Sequence, residues 1–242
     1  MTKEMLARFA KFRVLDDHPY THHTQKGQGN EPTDMYPIID IRSLPETKEI
    51  DLADAFEKLA KQYQELDTCI EVTTSFLDLP CKKGCSDCCH ESVFLTPLEF
   101  FYVWDWVQKE IPTEIRENMI ERGLAIYEEN RDLIEAFELP PPDGERDHFS
   151  IAERLKFTCP FLDGLGRCQV YPVREIFARL FGCSFDDGNG VYGCELVQEH
   201  LLGKRVSLLP ARGMARYLHK LPLTEKRQVY PYYIHRLFGE KN

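Results

Sequence analysis

Cysteines are the residues of this chain whose type and spacing point most directly to chemistry. Four of the nine cysteines, Cys81, Cys85, Cys88 and Cys89, lie within the segment CKKGCSDCCH. A second cysteine-bearing region contains Cys159, Cys168 and Cys183, and Cys194 follows shortly after it. Thiolates are preferred ligands of zinc, copper(I) and iron–sulfur clusters. Eight cysteines in two regions, beside turn-forming glycines and prolines, predict a metal centre assembled from both regions, and two centres would also use the surplus thiols.

The adjacent pair Cys88 and Cys89 limits what the first region can do alone. Helical residues three or four apart share a face, so Cys85 is expected on the same side as one member of the pair. Neighbouring residues of an α-helix point about 100° apart and cannot easily serve one small ion. Either one of the two is not a ligand, or the centre contains more than one metal.

The number of thiols bears on the identity of the metal. A structural zinc takes four ligands in a closed tetrahedron, whereas eight cysteines are candidates here. Cysteine-only ligation with surplus thiols favours an iron–sulfur cluster of the [4Fe–4S] type, with zinc as the alternative. The cations that lie close enough in the sequence to neutralise thiolates are Lys82, Lys83, Arg167, Arg174 and Arg179.

An enzyme is a rival interpretation of the same residues. The spacing Cys81-x3-Cys85-x2-Cys88 is that of radical S-adenosylmethionine enzymes, but Asp87 stands where those enzymes usually have an aromatic residue. In radical S-adenosylmethionine enzymes the cluster loop is followed by alternating strands and helices, whereas the sequence after Cys89 predicts long helices. Catalysis would need acid–base groups beside the metal, and the candidates are His90, Glu91, Tyr171 and Arg174. The candidates for contacts to a bound cofactor are Tyr171, Arg174 and Arg179. The sequence leaves open whether the protein is an enzyme.

The residues around the cysteines predict a mostly helical fold. Apolar residues recur at helical spacing over residues 51–77, and Pro80 ends that pattern before the first cysteine. Thr96-Pro97-Leu98-Glu99 forms a capping box with proline at the first helical position, so a buried helix is expected to begin there. Further helices are predicted from Thr113 to about Phe137 and from Pro172 to Phe181.

The rest of the chain completes an expected fold of irregular helical character. Gly164 and Gly166 predict a tight turn between two short extended pieces. Residues 190–242 predict two or three helices, and their aromatic segment VYPYYIHRLFG is expected to dock on the core. The predicted class is a mostly α domain, with two cysteine-bearing loops and a little short β structure around a metal centre.

Two domains or segments are expected along the chain. Residues 1–35 predict an N-terminal helix followed by a flexible polar segment that contains His18, His22 and His23. These histidines are interpreted as solvated residues rather than ligands. Residues 36–242 are predicted to form a single helical metal-binding domain.

Composition narrows the range of partners. The chain has 242 residues and a formal net charge of −10, and an acidic surface repels phosphate backbones, so nucleic acid is not expected as a partner. The sequence contains no apolar run long enough for a membrane span, and we see no secretory signal. These features predict a reducing cytoplasm, where clustered cysteines bind metal more often than they form disulfides. The expected partner is a protein or small molecule whose identity stays open.

The cysteine motifs resemble those of the YkgJ-like family, cysteine-cluster proteins known as zinc- or iron-chelating CxxCxxCC proteins. CKKGCSDCC followed by TPLEF is similar to the first motif of that family. Cys159-Pro160-Phe161-Leu162, then Gly166-Arg167-Cys168, Tyr171 and Arg174, is similar to the second. The resemblance covers about residues 80–184 and implies an iron–sulfur or zinc centre. It leaves open whether the protein has a redox or modifying activity.

Two positions depart from the family pattern. Glu175 replaces a proline, and Ala178 stands where the family has a cysteine, so one ligand implied by the resemblance is missing. Cys183 and Cys194 are the candidates to replace it. A related cysteine pattern occurs in flagellin lysine N-methylases. This similarity makes an S-adenosylmethionine-dependent methylase a further alternative function. No convincing glycine-rich loop for adenosine accompanies it.

Overall fold

The computed structural model describes residues 35–81, 85–137, 154–186 and 190–239, with only the backbone of His219. Several predicted features lie outside the described residues: the N-terminal helix, His18, His22, His23, Lys82 and Lys83. The chain divides into two units, Met1–Pro37 and Ile38–Asn242.

The second unit is mostly helical, as the sequence predicts. Its α-helices are α1 (Leu52–Thr74), α2 (Pro97–Glu110), α3 (Thr113–Glu135), α4 (Ile176–Leu180), α5 (Glu195–Leu201), α6 (Ala211–Ala215) and α7 (Tyr230–Phe238). Short 3-10 helices occur at Asp87–His90, Tyr171–Val173 and Arg216–Lys220. Within the described ranges, every helix is too short or too polar to cross a bilayer.

The β structure consists of two-residue strands: β1 (Phe94–Leu95), β2 (Ser184–Phe185), β3 (Val191–Tyr192), β4 (Leu209–Pro210) and β5 (Gln228–Val229). β1 pairs antiparallel with β5, so that Phe94 lies opposite Val229. β2 lies between β3, which is antiparallel to it, and β4, which is parallel. The expectation of a little short β structure is therefore confirmed.

Helix α1 begins where a side chain satisfies its first free backbone group. The carboxylate of Asp51 accepts a hydrogen bond from the backbone N–H of Asp54 at 3.1 Å. Leu52, Ala55, Leu59 and Leu66 then bury one face of the helix at spacings of three, four and seven residues. Cys69 is buried on the same helix, where it acts as a small core residue.

Helix α2 carries the predicted capping box. The hydroxyl of Thr96 accepts from the Glu99 backbone N–H at 3.3 Å, and the Glu99 carboxylate accepts from the Thr96 backbone N–H at 2.8 Å. Trp104 is fully buried and stacks on Phe100 with ring centroids 6.0 Å apart. This tryptophan is therefore part of the core rather than an exposed platform for a ligand.

The aromatic C-terminal helix docks on the core, as predicted. Tyr233 stacks on Phe100 at 4.7 Å, and Phe238 packs against Trp104 at 5.3 Å. Helix α7 also packs closely on α3: a Cβ added at Gly123 would lie 2.5 Å from Cδ1 of Ile234. Glycine at position 123 therefore permits the close approach of the two helices.

The helix predicted from Pro172 to Phe181 is wrong in its first half. The chain forms a 3-10 turn at Tyr171–Val173, is extended at Arg174 and Glu175, and begins α4 only at Ile176. The backbone N–H of Ile176 donates to the carboxylate of Glu99 at 2.9 Å. A buried carboxylate on α2 therefore satisfies the first free N–H of α4 and sets where that helix begins.

Candidate metal centre

The first cysteine region ends in the 3-10 turn Asp87–His90. The backbone N–H of Cys89 donates to the Ser86 carbonyl at 2.8 Å. Consecutive side chains of such a turn point about 120° apart. The thiols of Cys88 and Cys89 nevertheless interact with each other, and this interaction lowers the pKa of Cys88 and raises that of Cys89. The two thiols therefore lie together, in contrast to the divergent arrangement that a regular α-helix would give.

A tight turn brings Cys168 back towards Cys159 in the second region. Leu162 and Cys168 form an isolated antiparallel bridge, and Gly166 has a positive φ of 74°. The carboxylate of Asp163 accepts from the backbone N–H groups of Leu165 and Arg167 at 2.9 and 2.8 Å. The turn predicted from Gly164 and Gly166 is thus confirmed, and Asp163 orders it.

The two cysteine regions meet along a line of three contacts. The backbone N–H of Cys159 donates to the carbonyl oxygen of Cys89 at 2.7 Å. Next to it, Nδ1 of His90 lies 3.1 Å from the hydroxyl of Thr158, and the carboxylate of Glu91 lies 3.4 Å from Nζ of Lys156. The two segments therefore run alongside each other in opposite directions. His90 and Glu91, predicted as candidate acid–base groups, have these surface contacts in the structure.

Four thiols form an inner group: Cys88, Cys89, Cys159 and Cys168. Burial raises the pKa of Cys159 well above its ordinary value, and the charge of Cys168 raises it further. Burial, with a smaller effect from the charge of Cys88, likewise raises the pKa of Cys168 to about 12. Cys159 and Cys168 also raise the pKa of Cys89. Thiols from both regions therefore lie within electrostatic range of one another.

The other four candidate ligands, Cys81, Cys85, Cys183 and Cys194, form an outer group around Cys81. Partial desolvation of the Cys81 sulfur and the charges of Cys85 and Cys194 together raise its pKa to about 11. Cys183 is buried, and its thiol donates to the carbonyls of Arg179 and Leu180 at 3.2 Å.

Burial, with a smaller effect from the charge of Cys81, raises the pKa of Cys183 to about 12. Ala178, where the resemblance implies a cysteine, lies half-buried on α4. Both candidates for the missing ligand, Cys183 and Cys194, therefore lie on the Cys81 side of the cysteine cluster.

Arg174 is the predicted cation that faces the cysteines. Its charge acts to lower the pKa of Cys88, Cys168 and Cys183, which come from both groups. Its guanidinium lies 4.0 Å above the ring of Tyr171. In the described structure its Nε is buried and has no hydrogen-bond partner. This arginine therefore supplies positive charge and an unused donor at the edge of the thiols.

Arg179 has a different role from the cofactor contact considered in the sequence analysis. It pairs with Asp67 on α1 at 2.5 Å and donates to the carbonyls of Pro172 and Arg174, each at 2.8 Å. These contacts hold the extended segment that carries Arg174. Arg167 forms an ion pair with Asp163 at 2.7 Å. Tyr171 is exposed, and its ring lies beneath the Arg174 guanidinium.

A buried carboxylate near the thiols, Glu175, was missed as a site residue from the sequence, and the tertiary contacts of a second one, Glu99, were missed as well. Glu175 accepts a hydrogen bond from the Tyr230 hydroxyl, and burial raises the pKa of its carboxyl. The charge of Glu175 raises the pKa of Cys88, Cys159 and Cys168. Glu99 is fully buried and bonds Tyr63, Ile176 and Arg227. The departure from proline at position 175 was the signal that could have located the first of these.

The fit of this arrangement to a metal rests on its donors. Within the described ranges, no three side chains of histidine, cysteine, aspartate or glutamate stand in an arrangement that holds a metal ion. The thiols are nevertheless gathered from segments far apart in sequence, with an arginine whose Nε has no partner beside them. Soft sulfur donors with a neighbouring cation suit zinc or an iron–sulfur cluster and do not suit magnesium or calcium.

Comparisons with protein-family models, with curated proteins and with solved structures find no match to this chain. The resemblance to the YkgJ-like family therefore rests on the motif residues themselves.

Proposed function

We propose that this chain binds an iron–sulfur cluster through cysteines from both regions. The ligands would come from Cys85, Cys88, Cys89, Cys159, Cys168 and Cys183, with Cys81 and Cys194 as further candidates. The observation that carries the proposal is the 2.7 Å hydrogen bond from the Cys159 N–H to the Cys89 carbonyl. It holds together two thiol-bearing segments that are 70 positions apart in the sequence.

The chain's own charges suit such a centre. Several thiolates in a partly buried site repel one another, so the site needs positive charge and hydrogen-bond donors directed at sulfur. Arg174 offers both, because its charge reaches thiols of both groups and its Nε has no partner in the described structure. Phe161, two residues after Cys159, is fully buried and packs edge-on against Tyr230 at 4.7 Å.

When bound, an iron–sulfur cluster supplies one-electron redox chemistry or an open iron for a ligand. The protein's part in this function is to hold the thiolates, to balance their charge through Arg174 and to keep bulk water from the buried side. A role in electron transfer or in modifying another molecule is consistent with that arrangement.

Structural zinc is the second candidate, and one observation favours it. The inner group has four mutually interacting thiols, Cys88, Cys89, Cys159 and Cys168, which is the number that a closed tetrahedral zinc site takes. A zinc protein of this kind would be colourless, and removal of the metal would unfold it.

Serine substitutions distinguish a two-region centre from one built by a single region. Cys89→Ser and Cys159→Ser are each expected to remove the visible absorbance of protein purified without oxygen. Cys69→Ala, which alters a buried cysteine of α1, is the matched control and should keep it. If Cys159→Ser retained the full absorbance and metal content, the second region would not contribute to the centre and the proposal would be wrong.

A further inference from the structure

Arg122 joins helix α3 to the turn between Cys159 and Cys168, which carries two of the inner thiols. Its Nη1 donates a hydrogen bond of 2.5 Å to the backbone carbonyl of Leu162, 40 positions away in the sequence. Its Nε donates to the carbonyl of Asn118, four positions earlier on α3, at 3.2 Å. One guanidinium therefore ties the main chain of the turn to the main chain of a helix.

The Leu162 carbonyl lies in the framework that relates the two cysteines. Leu162 is buried, and its N–H donates to the carbonyl of Cys159 at 3.1 Å. Leu162 also forms the isolated antiparallel bridge with Cys168. The next pair of the same turn is joined by a hydrogen bond of 3.0 Å from the Gln169 N–H to the Phe161 carbonyl. A displacement of Leu162 would therefore move both cysteines.

Helix α3 gives this contact a firm anchor. Gly123, which follows Arg122, packs so closely on α7 that an added Cβ would lie 2.5 Å from Cδ1 of Ile234. Met119 and Ile120, on the preceding turn of the helix, are fully buried. The α3 backbone at Arg122 is thus fixed by its own packing, and the side chain transmits that position to the turn.

The other contacts of the turn act differently. Asp163 orders the tip of the turn from within, through the backbone N–H groups of Leu165 and Arg167. Phe161 packs against Tyr230 of α7, which is an apolar contact without a donor or acceptor. A hydrogen bond is directional, and one from a charged donor is stronger than one between neutral groups. The bond from Arg122 therefore fixes where the Leu162 carbonyl lies.

We propose that Arg122 is a positioning residue for the metal centre, and that it holds the turn so that Cys159 and Cys168 stay beside the thiols of the first cysteine region. It acts through the Leu162 carbonyl and not by binding the metal. This role rests on the proposed function, because it is a role at the same centre. Loss of the tie should expose the two thiols and weaken metal binding.

Alkylation of the metal-free, full-length protein with iodoacetamide, followed by mass spectrometry of each cysteine, tests the position of the turn. Arg122→Met keeps a long side chain of similar helix propensity and removes both donors. The lost hydrogen bond should speed alkylation of Cys159 and Cys168 about tenfold or more. Arg131→Met, which alters an exposed arginine of the same helix, should leave both rates unchanged. Cys69, buried on α1, reports global unfolding in the same samples.

Competition with a chelator, in protein purified without oxygen, is the second measurement. Arg122→Met is expected to bind its metal about tenfold more weakly than the wild type, as is usual when a group that orients metal ligands is lost. Arg131→Met should bind the metal as the wild type does. This comparison separates a role at the centre from a role in the stability of α3.

Several outcomes would overturn the proposal. Unchanged alkylation in Arg122→Met would show that the turn does not depend on the arginine, and equal acceleration at Cys69 and Cys159 would mean a general loss of stability. Faster alkylation with unchanged metal binding would exclude a role at the centre. Wild-type protein without metal would instead contradict the proposed function, and alkylation of the metal-free chain would still decide whether Arg122 holds the turn.

Discussion

The backbone N–H of Cys159 and the carbonyl oxygen of Cys89 are joined by a hydrogen bond of 2.7 Å. This bond uses main-chain atoms only, so it does not depend on either thiol. Substituting serine at these positions changes the donor atom offered to a metal and leaves the contact between the two segments in place. Metal binding and folding can therefore be tested separately.

Arg174→Gln is expected to weaken metal binding by about ten- to a hundredfold. This is the usual effect of losing a residue that interacts with the metal ligands without binding the metal itself. The reason is the loss of the positive charge that acts on Cys88, Cys168 and Cys183. Competition with a chelator measures the change. Arg205→Gln removes an exposed arginine and serves as control; equal metal retention by the two variants would show that Arg174 does not support the centre.

Glu99→Ala is expected to lower the free energy of unfolding by about 3–5 kcal/mol. The substitution leaves Arg227 and the Tyr63 hydroxyl buried without their acceptor, together with the N–H of Ile176. Urea unfolding measures the loss. Glu121→Ala, at an exposed position of α3, should change stability by less than about 0.5 kcal/mol. A similarly small effect at Glu99 would contradict its role in joining α1, α2 and α4.

Gly123→Ala should destabilise the protein although alanine is the better helix former. The gain in helix propensity is at most about 1 kcal/mol, whereas overpacking against Ile234 costs about 1–3 kcal/mol. The added Cβ would lie 2.5 Å from Ile234 Cδ1, so Ile234→Val should recover part of the loss in the double variant. Gly164→Ala, where no atom lies within 4 Å of the added Cβ, is the control. Thermal unfolding of Gly123→Ala, Ile234→Val, the double variant and Gly164→Ala measures these effects. If the stability losses of Gly123→Ala and Ile234→Val simply add in the double variant, contact with Ile234 is not the cause of the loss.

Asp163→Asn should reduce stability in a pH-dependent way. Partial burial of Asp163 acts to raise the pKa of its carboxyl, but the hydrogen bonds from Arg167 and Leu165 outweigh it and hold the pKa below the ordinary value of 3.8. A lowered pKa means that the ionised carboxylate stabilises the fold well above pH 3.8 and that this contribution is lost as the pH falls below it.

The expected loss is therefore about 1–2 kcal/mol at pH 7 and clearly less at pH 3. The backbone donors account for most of it, because the ion pair with Arg167 is partly exposed. Denaturant unfolding of wild type and variant at both pH values measures the difference. A loss of equal size at pH 3 and pH 7 would show that the carboxylate charge does not stabilise this turn.

Local features of the fold could be predicted from the sequence, because local physics sets them. The capping box at Thr96 and Glu99 and the turn at Gly164 and Gly166 follow from short-range hydrogen bonding and backbone freedom. The apolar face of α1 follows from periodicity. Strands of two residues, by contrast, are too short to give an alternating pattern, and their partners are set by the packed helices.

Contacts between distant residues could not be predicted in this way. Glu99 was expected to cap its own helix, yet its carboxylate also bonds Tyr63, 36 positions away, and Ile176, 77 positions away. The second of these contacts moves the start of α4 beyond the position predicted from Pro172. The sequence marks the cysteines as candidate ligands, whereas the cation that faces them, Arg174, could be separated from Arg179 only by tertiary structure.

Quantitation of metal and acid-labile sulfide per chain, in protein purified without oxygen, tests the central claim most directly. The account predicts iron and sulfide in equal amounts, about four of each for a [4Fe–4S] cluster, and a clear reduction of both in Cys159→Ser but not in Cys69→Ala. Stoichiometric zinc without sulfide, or wild-type protein that contains neither iron nor sulfide, would contradict it.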